Sequence, residues 1–181
     1  NIPVLIDALS HQTTSSELYE ILIVNDHSSD NTRELVQSLS AHYPWLVSLS
    51  LPEGGASGKR AALSFGIARA KFDFIGITDA DCIPGTAWIE SLQRSFVKDN
   101  SFVFGPAISD MSGNYTSRIG SFENFKGSLL IYAAAYIGKP FSARAANFGF
   151  PKEVFNRLGG YSGIGESLSG DDDLLIREAF K

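Results

Sequence analysis

EILIVNDHSSDNT, residues 20–32, sets the fold class. Residues 20–25 form a short apolar run rich in Ile and Val, the pattern of a strand buried on both faces. The run breaks into polar residues at Asp26, and Asp30 or Ser29 can N-cap the helix expected over residues 32–41. Further along the chain the alternation repeats. Residues 45–51 read as a strand, 52–58 as a loop, 59–71 as a helix and 72–78 (FDFIGIT) as a third buried strand. Then come a helix over 85–98, a strand over 102–107 and an aromatic-rich helix over 117–136. A strand over 145–150, a short helix over 152–158, a turn at Gly159-Gly160-Tyr161 and a last helix from Asp171 complete the chain. Ahead of the quoted stretch, residues 1–9 carry Ile2, Leu5 and Leu9 on one helical stripe. Such alternation implies an α/β fold with a mostly parallel sheet flanked by helices. Ligands of such sheets bind beyond the carboxyl ends of the strands.

Composition narrows the function classes. The 181 residues are 44% hydrophobic and 19% charged, a globular balance that excludes disordered and fibrous classes. Fifteen basic against twenty acidic residues give a net charge of −5, which argues against nucleic acid as a partner. The single cysteine, Cys82, excludes an intramolecular disulfide and a Cys-rich zinc site, and is read as a small buried hydrophobe. No apolar run approaches the ~20 residues of a membrane-spanning helix. One domain over residues 1–181, cut at both ends from something longer, is expected, because the chain opens and closes inside helical patterns.

Two carboxylate-rich segments, at Asp26 and at Asp79/Asp81, fall at strand carboxyl ends, where chemistry is expected. Asp79-Ala80-Asp81 follows the third strand, and hard oxygen donors of this kind suit Mg²⁺ or Mn²⁺ shared with substrate phosphates. The bland alternative is a solvated turn that caps the next helix. Asp171-Asp172-Asp173 opens the last helix; a helix dipole accounts for one or two such aspartates, and a general base for the cluster. The loop GGASGKR, residues 54–60, is no Walker A loop, since Glu53 and Arg60 stand where glycine and Ser or Thr are required. Lys59 and Arg60 can meet an anion there, or be plain solvated helix residues. Phe122, Phe125, Leu129, Tyr132 and Tyr136 share helical spacing and read as core, with the lining of an acceptor groove as the other reading.

Taken together and in order, EILIVNDHSSDNT, Gly58-Lys59, Asp79-Ala-Asp81, AANFGFPKEVF at 145–155, Gly159-Gly160-Tyr161 and GDDDLL at 170–175 resemble family 2 glycosyltransferases. The resemblance implies a GT-A fold whose first, central strand precedes Asn1 and is missing here. It implies that Asp26 bonds the base of a nucleoside-diphosphate sugar, UDP-sugar favoured, although the family's second aspartate is here Asn25. It places Lys59 near the base or ribose, Asn147 in the segment lining the sugar site, and Asp79 and Asp81 as the D-x-D pair, with Asp81 the direct metal ligand. Asp171 or Asp172 becomes the base, with Asp172 preferred and the run of three leaving the register open by one.

The expected activity is inverting hexosyl transfer for cell-envelope polysaccharide, to a saccharide or lipid-linked acceptor. It is expected in the cytoplasm or at the cytoplasmic face of a membrane, with peripheral membrane association through regions outside this chain. Residues 108–118 and 162–169 are expected to shape acceptor choice. Nucleotidyl transfer and a non-catalytic sugar-nucleotide or saccharide binding module are the rival readings.

Overall fold

The computed structural model describes residues 1–96, 102–108, 115–163 and 171–180. In chain order its elements are α1 (Ile2–Ser10), β1 (Ile21–Asn25), α2 (Thr32–Ser40), β2 (Leu46–Ser50), α3 (Lys59–Arg69) and β3 (Phe74–Ile77). They continue with α4 (Trp88–Ser95), β4 (Val103–Phe104), α5 (Tyr115–Tyr136), β5 (Phe148–Pro151), α6 (Lys152–Arg157) and α7 (Asp171–Ala179). Asn31 takes the N-cap position of α2, one residue later than expected, without a side-chain capping bond, while Asp30 accepts the Thr32 amide at 3.0 Å. The Thr32 hydroxyl and amide together hold the Asp30 carboxyl below the usual carboxylate range.

Strands β1 and β2 pair in parallel from Ile21 opposite Leu46 to Asn25 opposite Ser50. A second sheet has the order β3-β5-β4, with β5 antiparallel to both neighbours. Strand β3 therefore runs with β4. It also runs with β1. Just ahead of the two strands the Glu20 carboxylate accepts the Lys71 amide, and past their other ends Gly58 and Lys59 reach Asp26 and Asp79. Among the described residues four of the five strands thus share one direction, as the α/β pattern requires, and β5 is reversed. The segment read as one strand over 145–150 is a 3₁₀ turn, Ala145–Asn147, followed by β5.

The main core is built on β5. Phe148 and Phe150, both 0% exposed, lie on one face of the strand, with Phe102 within 6.0 Å of each ring. Leu175 and Ile176 of α7, Ile75 and Ile77 of β3 and Ile67 of α3 close around them. Between the two phenylalanines a Cβ on Gly149 would lie 2.8 Å from the Phe96 ring and 2.9 Å from the Ile75 carbonyl, so no other residue fits. A second core packs Leu5, Ile6 and Leu9 of α1 on Trp45 and Leu46, with Tyr19 and Tyr43 against the Trp45 ring. A cavity of about 610 Å³ lies between β1 and β3. Leu63, Gly66 and Ile67 of α3 line it, as do Leu5 and Leu9 of α1 and Ile89 and Leu92 of α4.

Helix α5 departs from its reading as core. Phe122, Phe125 and Leu129 are each about half exposed, and Tyr136 is 93% exposed. Only Tyr132 turns inward, stacking on Phe104 at 5.8 Å; burial pushes its phenol up, against the pull of Arg144. The inner face of α5 is polar. Ser121 and Ser128 are buried there, and Arg144 donates to Ser128 Oγ (3.0 Å) and to the Asn124 carbonyl (2.9 Å). Helical spacing marked the right stripe as apolar, but the inner face docks through hydrogen bonds instead.

Phe148→Ala is expected to cost about 3–5 kcal/mol in urea unfolding, through lost burial and the cavity it leaves. A loss below about 1 kcal/mol would contradict a core centred on β5.

Candidate functional site

The site is assembled at the carboxyl ends of β1 and β3. After β1 the Asn25 side chain accepts the Ser28 amide at 3.3 Å, and His27 takes a left-handed φ of +53°. This turn leads the chain off the sheet and leaves Asp26 at the strand end. Asp26 Oδ2 accepts the Gly58 amide at 2.6 Å. Its other oxygen, Oδ1, is buried with no hydrogen-bond partner among the described residues. A buried carboxylate oxygen without a donor is costly, so this atom is poised to accept one.

Gly58 can present its amide because its φ is +92°, a conformation that L side chains rarely adopt. The next residue, Lys59, begins α3 and sets its Nζ 3.0 Å from Asp79 Oδ1. Asp79 stands two residues past β3. The Cys82 amide donates back to the Asp79 carbonyl at 3.1 Å, closing a tight turn. That turn gathers Asp79, Asp81 and Cys82, whose candidate ligand atoms all lie within 4.8 Å of one another. Two carboxylates at this separation, one half-buried and one exposed, form a donor set that fits a hard divalent ion. Cys82 is half-buried beside them instead of packed in the core, which corrects its reading from sequence. The i to i+3 spacing from Asp79 was the signal for it.

The structure therefore joins Asp26, Lys59, Asp79 and Asp81 into one site, through contacts from a single loop and helix start. Asn147 is placed differently from the others. Its Oδ1 accepts the Trp88 indole N–H at 2.9 Å and its Nδ2 donates to the Pro106 carbonyl at 3.3 Å, so it clamps α4 to the chain after β4. A Cβ on Gly105 would come within 2.4 Å of that amide nitrogen, which fixes glycine there. Thr78, between β3 and Asp79, donates to the Ala146 carbonyl at 3.0 Å and ties the Asn147 segment to the site.

The third acidic group sits at the start of α7. Asp172 lies three and four residues ahead of Leu175 and Ile176, both 0% exposed, so it shares their inward side of the helix. The Asp173 carboxylate accepts the Ser142 hydroxyl. The Asp171 side chain, residues 109–114 and residues 164–170 lie outside the described residues, and with them most of the two loops expected to shape acceptor choice. Arg60 links α3 toward α7. Its guanidinium donates to the Tyr161 carbonyl at 2.6 Å and sits 5.9 Å from the centre of the Tyr161 ring, in the 3₁₀ turn that precedes α7.

Comparisons with known proteins bear on the family and the fold. The family model described as glycosyl transferase family 2 matches residues 1–159. Glycosyltransferase AglE of Haloferax volcanii is 32% identical over 90 residues, half of this chain and 29% of that protein. Probable glycosyltransferase YdaM of Bacillus subtilis is 26% identical over 163 residues, 87% of this chain and 38% of that protein. Among solved structures, the mannosyltransferase PcManGT from Pyrobaculum calidifontis, in complex with GDP-Man and Mn²⁺, superposes with a TM-score of 0.74 at 19% identity. That match covers 99% of this chain and 48% of the mannosyltransferase. S. aureus TarS 1–349 in complex with UDP-GlcNAc gives 0.67 at 17% identity, over 99% of this chain and 49% of that one. The fold is therefore of the GT-A type, and the chain spans about half the length of these structures and less of the curated relatives.

The donor set carries its own test. Mn²⁺ binding, followed by loss of the free-ion electron paramagnetic resonance signal, is expected to weaken at least about tenfold in Asp81→Asn and in Asp79→Asn. Unchanged binding in both variants would remove the metal from this site.

Proposed function

The chain belongs to glycosyl transferase family 2, and we propose that it carries the donor site of an inverting, metal-assisted hexosyltransferase that uses a nucleoside-diphosphate sugar. One observation carries the reading: the Asp26–Gly58 and Lys59–Asp79 contacts, 2.6 and 3.0 Å, draw a base-binding carboxylate and a metal-binding pair to the same strand ends. Asp26 Oδ1 receives a ring N–H of the nucleotide base. Uracil and guanine both present one, and UDP is taken as the first nucleotide to test, as in the TarS complex. Lys59 lies beside the base or ribose, its ammonium held on Asp79 at 3.0 Å. Asp79 and Asp81 hold Mg²⁺ or Mn²⁺, with Cys82 beside them. When bound, the ion supplies charge neutralisation for the departing diphosphate.

Asp172 acts as general base. Its carboxylate takes the proton of the acceptor hydroxyl as that oxygen bonds to the sugar C1. The bond from C1 to the diphosphate oxygen breaks, and the nucleoside diphosphate leaves with the electron pair. One displacement inverts the anomeric centre. Asn147 orders the wall beside the sugar through its bonds to Trp88 and Pro106. The acceptor is a saccharide or lipid-linked glycan of the cell envelope, met in the cytoplasm or at the cytoplasmic face of a membrane. This reading of the acceptor is in keeping with poly-β-1,6-N-acetyl-D-glucosamine synthase of Staphylococcus aureus, 40% identical over 67 residues. Among the described residues no helix is long and apolar enough to cross a membrane; peripheral membrane association is proposed through regions outside this chain. Nucleotidyl transfer and a purely binding module gain nothing from the family match.

The base assignment is tested in the full-length protein by comparing Asp172→Asn with Asp171→Asn. The first is expected to lower turnover by about 10²–10⁴ while donor binding is kept, and the second far less. Full turnover in Asp172→Asn would overturn the assignment.

A further inference from the structure

We propose, on the premise of the donor site above, that Cys82 is a third ligand of the ion held by Asp79 and Asp81. Bound as a thiolate, it makes the site select a first-row transition ion over Mg²⁺. Three candidate ligand atoms, one each from Asp79, Asp81 and Cys82, lie within 4.8 Å of one another. Carboxylate oxygens sit about 2.0–2.2 Å from an ion such as Zn²⁺ and a thiolate sulfur about 2.3 Å, so two donors on one ion stand at most about 4.5 Å apart. Small side-chain shifts therefore close all three donors on a single ion.

The turn that carries these donors is anchored on both sides. Just ahead of it the Thr78 hydroxyl donates to the Ala146 carbonyl at 3.0 Å. Within it the Cys82 amide donates to the Asp79 carbonyl at 3.1 Å. Beyond it the Gly85 carbonyl accepts the Gln12 side-chain amide at 2.8 Å, and the Thr86 carbonyl accepts the Thr13 amide at 2.8 Å. None of these bonds involves the side chain of Asp79, Asp81 or Cys82. Main-chain contacts thus bring the three donors together and leave their ligand atoms for the ion.

Placement and charge both favour the thiol as a ligand. Ile83 is 72% exposed, while its smaller neighbour Cys82 takes the half-buried place beside the carboxylates. A turn that only shed apolar surface would bury the isoleucine first. The Lys59 ammonium, 3.0 Å from Asp79 Oδ1, offsets one of the two carboxylate charges. Without nucleotide, a divalent ion over the pair leaves one positive charge, and a thiolate cancels it. As the sulfur–metal bond forms, the Cys82 thiol gives its proton to solvent. Mg²⁺ takes oxygen donors and is held by the two carboxylates alone, whereas a thiolate adds a bond to a transition ion.

The test titrates Co²⁺ into the metal-free full-length protein without nucleotide. A thiolate bond to Co²⁺ gives a charge-transfer band in the near ultraviolet, and binding is followed in parallel by calorimetry. The band is expected in the unsubstituted protein and absent in Cys82→Ser, which still binds the ion through its carboxylates. The preference for Co²⁺ over Mg²⁺, read by competition, is expected to fall at least about tenfold in Cys82→Ser. In Asp81→Asn the band is expected only at about tenfold higher Co²⁺. Binding of Co²⁺ without a sulfur band overturns the proposal and leaves the carboxylate site standing. A band indifferent to Asp81→Asn reports a thiol gathering Co²⁺ by itself and overturns it too. No binding of Co²⁺ or Mn²⁺ at all removes the proposal together with the donor-site ion.

Discussion

One short stretch, Gly58-Lys59, holds the site together. The Gly58 amide fastens Asp26, and the Lys59 ammonium fastens Asp79, so the first turn of α3 bridges two strands that do not pair with each other. The bridge depends on a left-handed backbone at Gly58 and on the close packing of α3 over β1, where Gly66 lies against Val24. At the amino ends the Glu20 carboxylate and the Lys71 amide repeat the arrangement. The strands are pinned at both ends, which keeps their carboxylates in register. The ion pair itself is half-exposed on both sides, so its role is positional more than stabilising.

The reversed strand supplies the rigidity behind this arrangement. Strand β5 pairs with β3 and β4 together and carries the two most enclosed phenylalanines. Its lead-in turn places Asn147 against Trp88, and Thr78 reaches back to Ala146 across the same junction. Helix α7, with Leu175 and Ile176 in the same core, brings its aspartates to that structure. Helices α3 and α7 and strands β3 and β5 are therefore held by one hydrophobic cluster.

Much of this was legible in the residues. Apolar runs ending in aspartate marked β1 and β3 and located both acidic groups, because a parallel strand must be apolar and its carboxyl end is where ligands bind. The direction of β5 was not legible: FGFP is as apolar as a parallel strand, and only the pairing shows the reversal. The outward face of α5 was missed because helical spacing reports a stripe and not which neighbour covers it. Cys82 was misread because its neighbours in space come from a turn of four residues, which composition does not reveal. The role of Asn147 as a clamp depends on Trp88, 59 residues away, beyond the reach of local pattern.

The proposed site seats a nucleotide sugar across the Gly58-Lys59 bridge. The most direct measurement is amide chemical-shift mapping by NMR as UDP-GlcNAc, and separately GDP-Man, is added with Mg²⁺. Shifts concentrated at Asp26, Gly58, Lys59 and Asp79 are expected for at least one of the two. Saturable binding of either donor that leaves these four amides unmoved would contradict it.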